Sequence, residues 1–386
     1  MLTQNKFTIL IPTRERCDTL YHTIRTCLNQ TYENLEVIVS DNCSQDNTKK
    51  VVMSFSDSRL KYINTGKRLS MSGNFDFALT HVNDGYVMFI GDDDGILPDS
   101  LEYVNDIINN TGCEAVVSHN ALYIWPQEFK SSLLNWSPKK GYEVRRTKEW
   151  LQKYFKFRMP YTFDLPGAYC GFVKCDVLNR IKKDNVFFRS ATPDAYSAIA
   201  VSFFSEKYVY SYTPFAIHGS SARSNGGAYL SSSKKDERDE AKLFFKENSI
   251  PFHKNIIMTK SFRICSIEAY LQFSDYFPEL TKHISVDWKK LLQYVLTERN
   301  EATKDTINKA VKDMCGIHGL DYEEVSSTIP NKFAGISFNE FVLKVFHKLK
   351  CLIVEEKTSF DNLTNYNVYN IYDAVIFLDE ILSKKA

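Results

Sequence analysis

The sequence predicts an α/β fold, in which a mostly parallel sheet carries helices on both faces and a helical region follows. Three observations support this prediction. Short apolar runs alternate with amphipathic segments through the first third of the 386 residues. Strands separated by helices of this length are typical of parallel sheets. From Lys234 onward, the apolar stretches instead have helical spacing.

The first βα unit shows how each element is assigned. Phe7–Pro12 is an apolar run that predicts a buried strand, and Asp18–Asn29 carries apolar residues at helical spacing. The elements that follow are predicted in the same way: strand Leu35–Ser40, helix Asp46–Phe55 capped by Asp46, strand Leu60–Asn64, helix Ser72–Val82, strand Tyr86–Ile90, helix Pro98–Ile108 and strand Glu114–Trp125.

The second part of the chain predicts helices. Gly219–Ser233 is rich in Ser and Gly and predicts a flexible loop or lid. The stretches with helical spacing after it are Lys234–Asn248, Ile256–Tyr276, Leu280–Arg299, Ala302–Cys315, Phe338–Cys351 and Val368–Leu382. We therefore predict an α/β domain at 1–230 and a helical domain at 231–386.

Composition excludes some classes of protein. Lys+Arg and Asp+Glu nearly cancel to a formal charge of +1, which argues against a general nucleic-acid binder. The nine cysteines form no Cys-x-x-Cys pair, so they favour neither a zinc finger nor a thioredoxin-like centre, and they fit reduced cytosolic thiols. Met1–Lys6 is polar and no apolar run approaches the ~20 residues that span a bilayer. We expect a cytoplasmic protein, either soluble or attached to a membrane surface.

Three carboxylates follow the most apolar predicted strand. Tyr86–Ile90 leads through Gly91 to Asp92, Asp93 and Asp94. Ligands of parallel α/β sheets bind outside the carboxyl ends of the strands, and clustered carboxylates suit Mg²⁺ or Mn²⁺. The alternative is a solvated acidic turn before a helix.

Two other interpretations of this acidic turn can be weighed. An EF-hand is excluded because its alternating ligand positions would include Ile96. Asp92-Asp93-Asp94-Gly95 after an apolar strand also resembles the nucleophile motif of haloacid-dehalogenase-type phosphatases, in which Asp92 would be phosphorylated. Ile96 departs from that motif, and three βα units precede the turn here.

The first third as a whole resembles the family-2 glycosyltransferases of GT-A fold. Ile9–Arg16 resembles the family's "IPTYNR" start, and Leu28–Asp41 resembles its "QTYxNxEIIVVDD" segment. Asp41–Thr48 resembles "DDGSxDNT", and Asp92–Asp94 followed by Leu97–Leu101 resembles the metal motif with its helix. The combination, in this order over about 100 residues, is far more specific than any one piece.

The resemblance implies which residues bind the donor nucleotide. Pro12, Thr13 and Arg14 line the base and ribose pocket, and Asp41 accepts a hydrogen bond from the base, uracil in a UDP-sugar. The family often has Tyr where this chain has Arg14, whose planar guanidinium can also stack on a base. The alternative for Asp41 is a turn-forming side chain that bonds local amides.

Further donor contacts are implied at the ends of the next strands. Lys67 and Arg68 lie where the family places a base- or phosphate-binding residue, although a solvated basic turn is the alternative. Asn74 lies where relatives carry an Asn near the nucleotide. The resemblance also implies that Asp92 and Asp93 contact the donor.

The match is looser in the middle of the chain. Gly167–Phe172 resembles the family's acceptor-side loop. Asp194 lies where the family has its catalytic base, with a helix N-cap as the alternative and with Asp164 and Glu206 in reserve. His218 lies where relatives place a metal- or diphosphate-binding His, the alternative being a structural histidine.

The implied activity is metal-dependent, inverting transfer of a sugar from a UDP-sugar to a glycan or lipid-linked glycan, in O-antigen or capsule synthesis. Mn²⁺ or Mg²⁺ would be held by Asp94, Asp92 and His218. The helical domain would bind the acceptor, form a homo-oligomer, or contact the inner face of the cell membrane through Phe338–Cys351, although a core-facing stripe is the alternative there. A non-catalytic sugar-nucleotide-binding scaffold also remains open.

Overall fold

The computed structural model of the chain describes residues 3–126, 131–159, 161–224, 246–328 and 358–384. Three predicted segments fall wholly or partly outside these residues. They are most of the Lys234–Asn248 helix, all of Phe338–Cys351, and the second half of the Gly219–Ser233 loop.

Strands and helices alternate through the first third of the chain, as the apolar pattern predicts. In order they are β1 (Phe7–Thr13), α1 (Cys17–Leu28), β2 (Leu35–Asp41), α2 (Thr48–Val52), β3 (Leu60–Asn64), α3 (Met71–Leu79), β4 (Tyr86–Phe89), β5 (Gly95–Ile96) and α4 (Ser100–Thr111).

The middle of the chain mixes short strands with helices, and the described C-terminal residues are mainly helical. The elements are β6 (Ala115–Ser118), β7 (Ala121–Ile124), β8 (Leu133–Asn135), β9 (Tyr142–Arg146), α5 (Thr147–Phe155), β10 (Gly171–Lys174), α6 (Cys175–Ile181), α7 (Pro193–Phe204), β11 (Lys207–Ser211), β12 (Ala216–Ser220), α8 (Phe262–Tyr276), α9 (Pro278–Thr281), α10 (Trp288–Leu296), α11 (Lys304–His318), α12 (Tyr322–Ser327), β13 (Ser359–Asp361), a 3₁₀ turn at Leu363–Tyr366, and α13 (Ile371–Ser383).

In the described part of the chain, the larger sheet has eight strands in the order β3-β2-β1-β4-β10-β6-β11-β9. β1 pairs in parallel with β2 and β4, and β2 pairs in parallel with β3. β10 and β9 run antiparallel to their neighbours. Thr13 and Asp41 are partners in register at the carboxyl end of β1 and β2. The mostly parallel sheet is confirmed. The polar residues that end its parallel strands lie on the same side of the sheet, at the carboxyl ends of the strands.

The sheet is covered on both faces because successive residues of a strand point to opposite sides. Leu10 and Ile38 lie in the apolar core that includes α3, α6 and α7, whereas Ile9 and Val37 lie in the core that includes α1 and α4. All four side chains are buried, and each contributes about 1.5–3 kcal/mol to folding. The predicted helices on both faces are confirmed.

A second sheet, which the sequence pattern does not predict, has the order β13-β8-β7-β12-β5 among the described residues. β5 begins directly after Asp94 and pairs antiparallel with β12, with Ile217 opposite Gly95. β12 also pairs in parallel with β7. The pairing of β5 with β12 therefore fixes His218 beside the acidic turn.

The described C-terminal segments pack on the α/β part in two places. Helix α8 lies against α7, whereas α13 lies against α1 and β5. β13 adds a strand to β8 of the second sheet. The predicted division into 1–230 and 231–386 stays a prediction. Among these described residues, no helix has both the length and the apolar character needed to cross a bilayer.

Two predictions near the acidic turn are wrong in detail. The helix expected from Pro98 begins at Ser100, because Asp99 has a left-handed backbone with a φ of 55° and acts as its N-cap residue. The single strand expected over Glu114–Trp125 is two strands in different sheets. The chain leaves the larger sheet after Ser118 and enters the smaller one at β7.

Two helix predictions also need correction. Helix α2 is shorter than predicted and its N-cap residue is Asn47, although Asp46 accepts hydrogen bonds from the amide and hydroxyl of Thr48. The helix expected over Leu280–Arg299 is interrupted, because Asp287 caps α10 by accepting from the amide of Lys290 at 3.0 Å.

Candidate active site

The turn after β4 places three carboxylates at the carboxyl edge of the larger sheet. Asp92, Asp93 and Asp94 are all at most 5% exposed. A Cβ at Gly91 would lie 2.8 Å from the Tyr169 hydroxyl and 3.0 Å from Asp94 Oδ2, so the turn requires glycine there. Buried carboxylates repel one another, and each therefore needs a cation or hydrogen-bond donors.

Asp92 is held by two groups from the β1–α1 segment. Its Oδ2 accepts from Thr13 Oγ1 at 2.7 Å, and its Oδ1 accepts from Arg16 Nη1 at 3.0 Å. Burial raises the pKa of Asp92, while the Arg16 charge opposes that rise. The predicted donor residue Thr13 thus lies in the site and orients a carboxylate of the acidic turn.

Asp93 faces the segment that follows β12. Its Oδ2 accepts from the Ser221 amide at 3.1 Å and from the Ser224 hydroxyl. Its carbonyl oxygen accepts from Trp125 Nε1 at 3.1 Å. A Cβ at Gly219 would lie 1.7 Å from that carbonyl oxygen, so only glycine lets β12 approach the turn this closely.

Asp94 is the most elaborately bonded of the three carboxylates. Its Oδ2 accepts from the Gly91 amide at 2.7 Å and from the Tyr169 hydroxyl at 2.8 Å. Its Oδ1 accepts from the Gly219 amide at 2.8 Å and lies 3.9 Å from His218 Nδ1. Burial raises the pKa of Asp94, and the proximity of His218 opposes the rise.

Potential metal ligands converge at Asp94. Within the described ranges, one group of ligand atoms lies close enough to share an ion: Asp94, Cys170 and His218, all within 4.8 Å of one another. Carboxylate and imidazole are ordinary ligands of divalent metals, so the predicted ion at Asp94 and His218 fits the residues present. Asp92 is not in this group, its oxygens accept from Thr13 and Arg16, and its role as a ligand stays a prediction.

Asp194 lies in the first turn of α7. The N-cap residue of that helix is Thr192, so Asp194 is not the N-cap that was considered as the alternative. Its Oδ2 accepts from the Tyr161 hydroxyl at 2.8 Å. Burial raises the pKa of Asp194, and the hydrogen bond from Tyr161 opposes the rise. A buried carboxyl with a raised pKa is suited to proton transfer.

Asp41 and Asn74 bond mainly within the chain. Asp41 Oδ1 accepts from the Ser44 amide at 2.9 Å, and its Oδ2 accepts from the Tyr62 hydroxyl at 2.7 Å. Asn74 exchanges hydrogen bonds of 2.6 and 3.1 Å with the hydroxyl and carbonyl of Ser40. These bonds match the turn-forming alternative for Asp41 and give Asn74 a role in joining α3 to β2. A nucleotide contact by either residue stays a prediction.

The predicted basic residues meet an acidic one from a distant segment. Arg14 Nη1 donates to Glu247 Oε2, and Arg68 Nε lies 3.9 Å from Glu247 Oε1. Arg68 also donates to the Asn42 carbonyl at 3.0 Å. Lys67 is exposed. Arg14 and Arg68 are thus brought to one place at the strand ends, where Glu247 pairs with Arg14 and Glu15 lies 3.3 Å from Arg68.

The reserve candidates for the base are placed differently. Asp164 Oδ1 accepts from Arg145 Nη1 at 3.2 Å, so its carboxylate is committed to an ion pair. Glu206 follows the carboxyl end of α7, whereas Asp194 lies at the amino end. Pro12 lies in β1, one residue before Thr13.

Sequence reasoning did not single out Arg16, Tyr161, Tyr169 or Cys170. Arg16 and the Tyr169-Cys170 pair lie inside motifs that resembled the family, so the motif itself was a signal for them. Tyr161 carried no signal, because its contact with Asp194 joins residues 33 positions apart.

Residues 8–172 match the family model described as Glycosyl transferase family 2. The matched range includes Asp41, the three carboxylates of the acidic turn and Cys170. Asp194 and His218 lie beyond it.

Curated relatives match shorter stretches. The GalNAc(5)-diNAcBac-PP-undecaprenol beta-1,3-glucosyltransferase of Campylobacter jejuni is 35% identical over 99 residues, which are 25% of this chain and 32% of the relative. The UDP-Glc:alpha-D-GlcNAc-diphosphoundecaprenol beta-1,3-glucosyltransferase WfgD of Escherichia coli is 29% identical over 129 residues, which are 31% of this chain and 51% of the relative. The chain therefore spans about a third to a half of the length of these relatives.

Solved structures are similar over most of the chain at low identity. Staphylococcus aureus TarS 1–349 in complex with UDP-GlcNAc has a TM-score of 0.47 and 12% identity, covering 83% of this chain and 89% of that one.

Proposed function

We propose that this chain is a metal-dependent, inverting glycosyltransferase of surface-polysaccharide synthesis, because residues 8–172 match the family model described as Glycosyl transferase family 2. It transfers a hexose-type sugar from a UDP-sugar to a hydroxyl of a glycan or lipid-linked glycan. The family match sets aside the phosphatase interpretation of Asp92.

One arrangement carries the proposal. His218 Nδ1 is 3.9 Å from Asp94 Oδ1, and the centre of its ring lies 6.2 Å from that of Phe163. The Phe163 ring is in turn 4.9 Å from the ring of Tyr161, whose hydroxyl donates to the candidate base Asp194. A donor diphosphate beside Asp94 and His218 would therefore put its sugar within reach of an acceptor oxygen at Asp194. A direct displacement requires this arrangement, in which one group of residues holds the leaving diphosphate and another residue removes the proton of the acceptor.

The donor half of the site is proposed at the ends of β1 to β4. Arg14 and Arg68 supply positive charge for the nucleotide, and Asp41 with Pro12 and Thr13 borders the base and ribose. UDP is proposed because the Escherichia coli relative is named as a UDP-Glc enzyme.

The chemistry assigns each group one task. A divalent ion, Mn²⁺ or Mg²⁺, would neutralise charge that grows on the leaving UDP. Asp94 and His218 are the residues that would hold it, and Asp92 and Asp93 lie beside them in the same acidic turn. Asp194 takes the proton of the acceptor hydroxyl as that oxygen attacks the anomeric carbon from the opposite face, which inverts the configuration.

The acceptor is proposed to be lipid-linked. The names of both curated relatives describe sugar chains on undecaprenol diphosphate. Such an acceptor places the enzyme at the inner face of the cell membrane, as a peripheral protein whose C-terminal part contacts the acceptor, the membrane or a second copy.

Thermal unfolding with UDP, with and without Mn²⁺, tests the donor site. A ligand at about 100 times its Kd stabilises the fold by roughly 2.7 kcal/mol, which gives a clear rise in Tm. We expect a Mn²⁺-dependent rise that disappears in Asp94→Ala and persists in Asp313→Asn, a control on the exposed side of α11. No rise with UDP, GDP or CDP would overturn the nucleotide proposal.

Turnover then separates the enzyme from the scaffold alternative. Wild type should release UDP from a UDP-sugar only when an undecaprenyl-diphosphate-linked sugar is present. A scaffold would bind UDP with the same Mn²⁺ dependence and show no turnover with any acceptor tested.

A further inference from the structure

A cysteine lies among the oxygen and nitrogen ligands at the acidic turn. Cys170 Sγ is 3.6 Å from Asp94 Oδ2 and 3.6 Å from His218 Nδ1. We propose that Asp94, Cys170 and His218 form a sulfur-containing cation site that prefers Zn²⁺ and similar thiophilic ions to Mg²⁺. The proposal concerns the same pocket as the proposed function, and the binding test below does not depend on UDP.

The spacing of the three side chains fits a tetrahedral ion. Zinc binds sulfur at about 2.3 Å and nitrogen or oxygen at about 2.0–2.2 Å. Two ligands of such a tetrahedron are then roughly 3.3–3.6 Å apart. The two contacts of Cys170, to Asp94 Oδ2 and to His218 Nδ1, already have this length. His218 Nδ1 lies 3.9 Å from Oδ1, the other oxygen of the same carboxylate, and one ligand atom from each of the three residues lies within 4.8 Å of the other two.

The surroundings hold the three ligands in place. The amide of Cys170 donates to the Phe89 carbonyl at 2.8 Å, and Cys170 is 1% exposed. Asp94 is fixed by the amides of Gly91 and Gly219. Ligands whose positions are fixed by outer hydrogen bonds bind metals more tightly.

The second nitrogen of the imidazole also has a suitable partner. His218 Nε2 lies 3.1 Å from Asn120 Nδ2, while Asn120 Oδ1 accepts from the Ser118 hydroxyl at 2.5 Å. A half-turn of that amide, with the Ser118 hydroxyl then accepting, would present Oδ1 to an Nε2–H. Nδ1 is then free of a proton and available to an ion.

The ligand set determines which ion binds well. Thiolate favours Zn²⁺, Co²⁺ and Cd²⁺, whereas Mg²⁺ favours oxygen. When the sulfur binds, the S–H bond breaks, its electron pair goes to the metal and its proton passes to solvent. Three protein ligands leave a fourth position open, and His218, whose side chain is 27% exposed, forms its solvent-facing side.

Titration of the metal-free protein with Co²⁺, in the absence of nucleotide, tests the site. A sulfur ligand gives a sulfur-to-cobalt charge-transfer band in the near ultraviolet, which Zn²⁺ should abolish by displacement. We expect the band in wild type and in Cys113→Ser, a control at another buried cysteine. Cys170→Ser should lose the band and bind Zn²⁺ at least about 100-fold more weakly.

Proton release gives a second measurement that does not need a variant. Zn²⁺ binding to wild type in weak buffer should release a proton from the thiol. Absence of the charge-transfer band in wild type, or its persistence in Cys170→Ser, would overturn the proposal. A charge-transfer band without any UDP binding would leave this site standing and refute the proposed function alone. Binding of UDP and Mn²⁺ without the charge-transfer band would refute the sulfur-containing cation site and leave the proposed function standing.

Discussion

The hydroxyl of Tyr161 donates a 2.8 Å hydrogen bond to Oδ2 of Asp194. Burial raises the pKa of that carboxyl, and the bond from Tyr161 opposes the rise. Burial and the nearby Asp194 also raise the pKa of Tyr161 well above its ordinary value, so the phenol remains a donor at neutral pH. The pair therefore tunes the basicity of the group to which we assign proton removal.

Substitution of Asp194 should separate catalysis from donor binding. Asp194→Asn keeps the shape but cannot take a proton, so kcat should fall by about 10²- to 10⁴-fold. The Mn²⁺-dependent rise in Tm with UDP should be unchanged. Near-normal turnover would exclude Asp194 as the base and bring Asp164 forward.

Tyr161→Phe should shift the pH profile instead. Loss of a hydrogen bond to a charged group costs about 1.5–3 kcal/mol, which corresponds to about one to two pH units. Because the bond favours the ionised carboxylate, its loss moves the acidic limb of the kcat/KM profile to higher pH. Tyr123→Phe is the control, since that hydroxyl is buried and has no hydrogen-bond partner within the described residues. An identical shift in both variants would contradict the assignment.

Phe163 lies exposed between the base and the cation ligands. Phe163 is 53% exposed, and the centre of its ring lies 4.9 Å from that of Tyr161 and 6.2 Å from that of His218. A large exposed aromatic side chain beside a reactive group offers a stacking surface to a ligand. We predict that Phe163→Ala raises the acceptor KM about tenfold, equivalent to about 1.4 kcal/mol, with the donor KM unchanged.

The control for this prediction is Tyr369→Ala. Tyr369 is 54% exposed, which matches Phe163, and it lies just before α13. Equal effects of the two substitutions on the acceptor KM would indicate a general effect on the protein. A change in the donor KM alone would contradict the prediction and indicate that Phe163 contacts the donor nucleotide-sugar.

The local pattern of apolar residues in the sequence was sufficient to predict the parallel part of the fold. β1, β2 and β4 are apolar on both faces because helices cover both sides, and such runs stand out in a sequence. The second sheet could not be predicted in this way. β5 has only two residues, and its partner β12 lies 120 residues later. Within Glu114–Trp125, the polar residues Ser118, His119 and Asn120 separate two apolar halves, but they do not indicate that the second half joins another sheet.

For the candidate site, too, the sequence predicts residues near recognisable strands and misses contacts between distant segments. Asp92 to Asp94 follow a recognisable strand, so their place at the sheet edge could be predicted. Spacing in the sequence could not assign Cys170 its ligand role. Cys175 follows it after four residues but is not in the group at Asp94. The neighbours of Cys170, Asp94 and His218, are 76 and 48 residues away in the chain. The pairing of β5 with β12 brings Asp94 and His218 together, and the hydrogen bond from the Cys170 amide to Phe89 at the end of β4 adds the thiol.

Asp76 gives a prediction about stability and pH. It lies in α3 and accepts hydrogen bonds from the amides of Phe187 at 2.9 Å and Phe188 at 3.2 Å. Burial raises the pKa of Asp76 to about 6 from its ordinary value of 3.8. Since the folded state holds the proton more tightly, the unfolding free energy should fall as pH rises from about 4 to about 6 and then level off.

Asp76→Asn should remove this pH dependence, because an amide oxygen can accept both hydrogen bonds without ionising. The difference in unfolding free energy between wild type and variant should change by at most about 3 kcal/mol across that range. Urea unfolding at a series of pH values measures it, with Asp313→Asn as the exposed control. Parallel curves for wild type and Asp76→Asn would refute the prediction.

Glu247 should compete with the donor nucleotide. It pairs with Arg14 and lies 3.9 Å from Arg68, the two cations that we assign to the nucleotide, and these side chains are only partly exposed. A nucleotide phosphate that uses the same guanidinium groups must first displace the carboxylate. Glu247→Gln removes the competing charge while its amide oxygen can still accept from Arg14. We therefore expect UDP to bind about two- to tenfold more tightly in this variant, a gain of up to about 1.4 kcal/mol.

The same substitution should lower the stability of the protein without nucleotide, because Arg14 loses its counter-charge, whereas Arg68 keeps its ion pair with Glu15 at 3.3 Å. Isothermal titration with UDP and thermal unfolding measure the two effects. Glu33→Gln is the matched control, since Glu33 is exposed before β2 and therefore at the opposite edge of the sheet. Weaker UDP binding in Glu247→Gln would show that the carboxylate positions Arg14 for the nucleotide. Unchanged binding with lowered stability would mean that the nucleotide does not use these two arginines, and the donor pocket would have to be sought nearer Thr13 and Asp93.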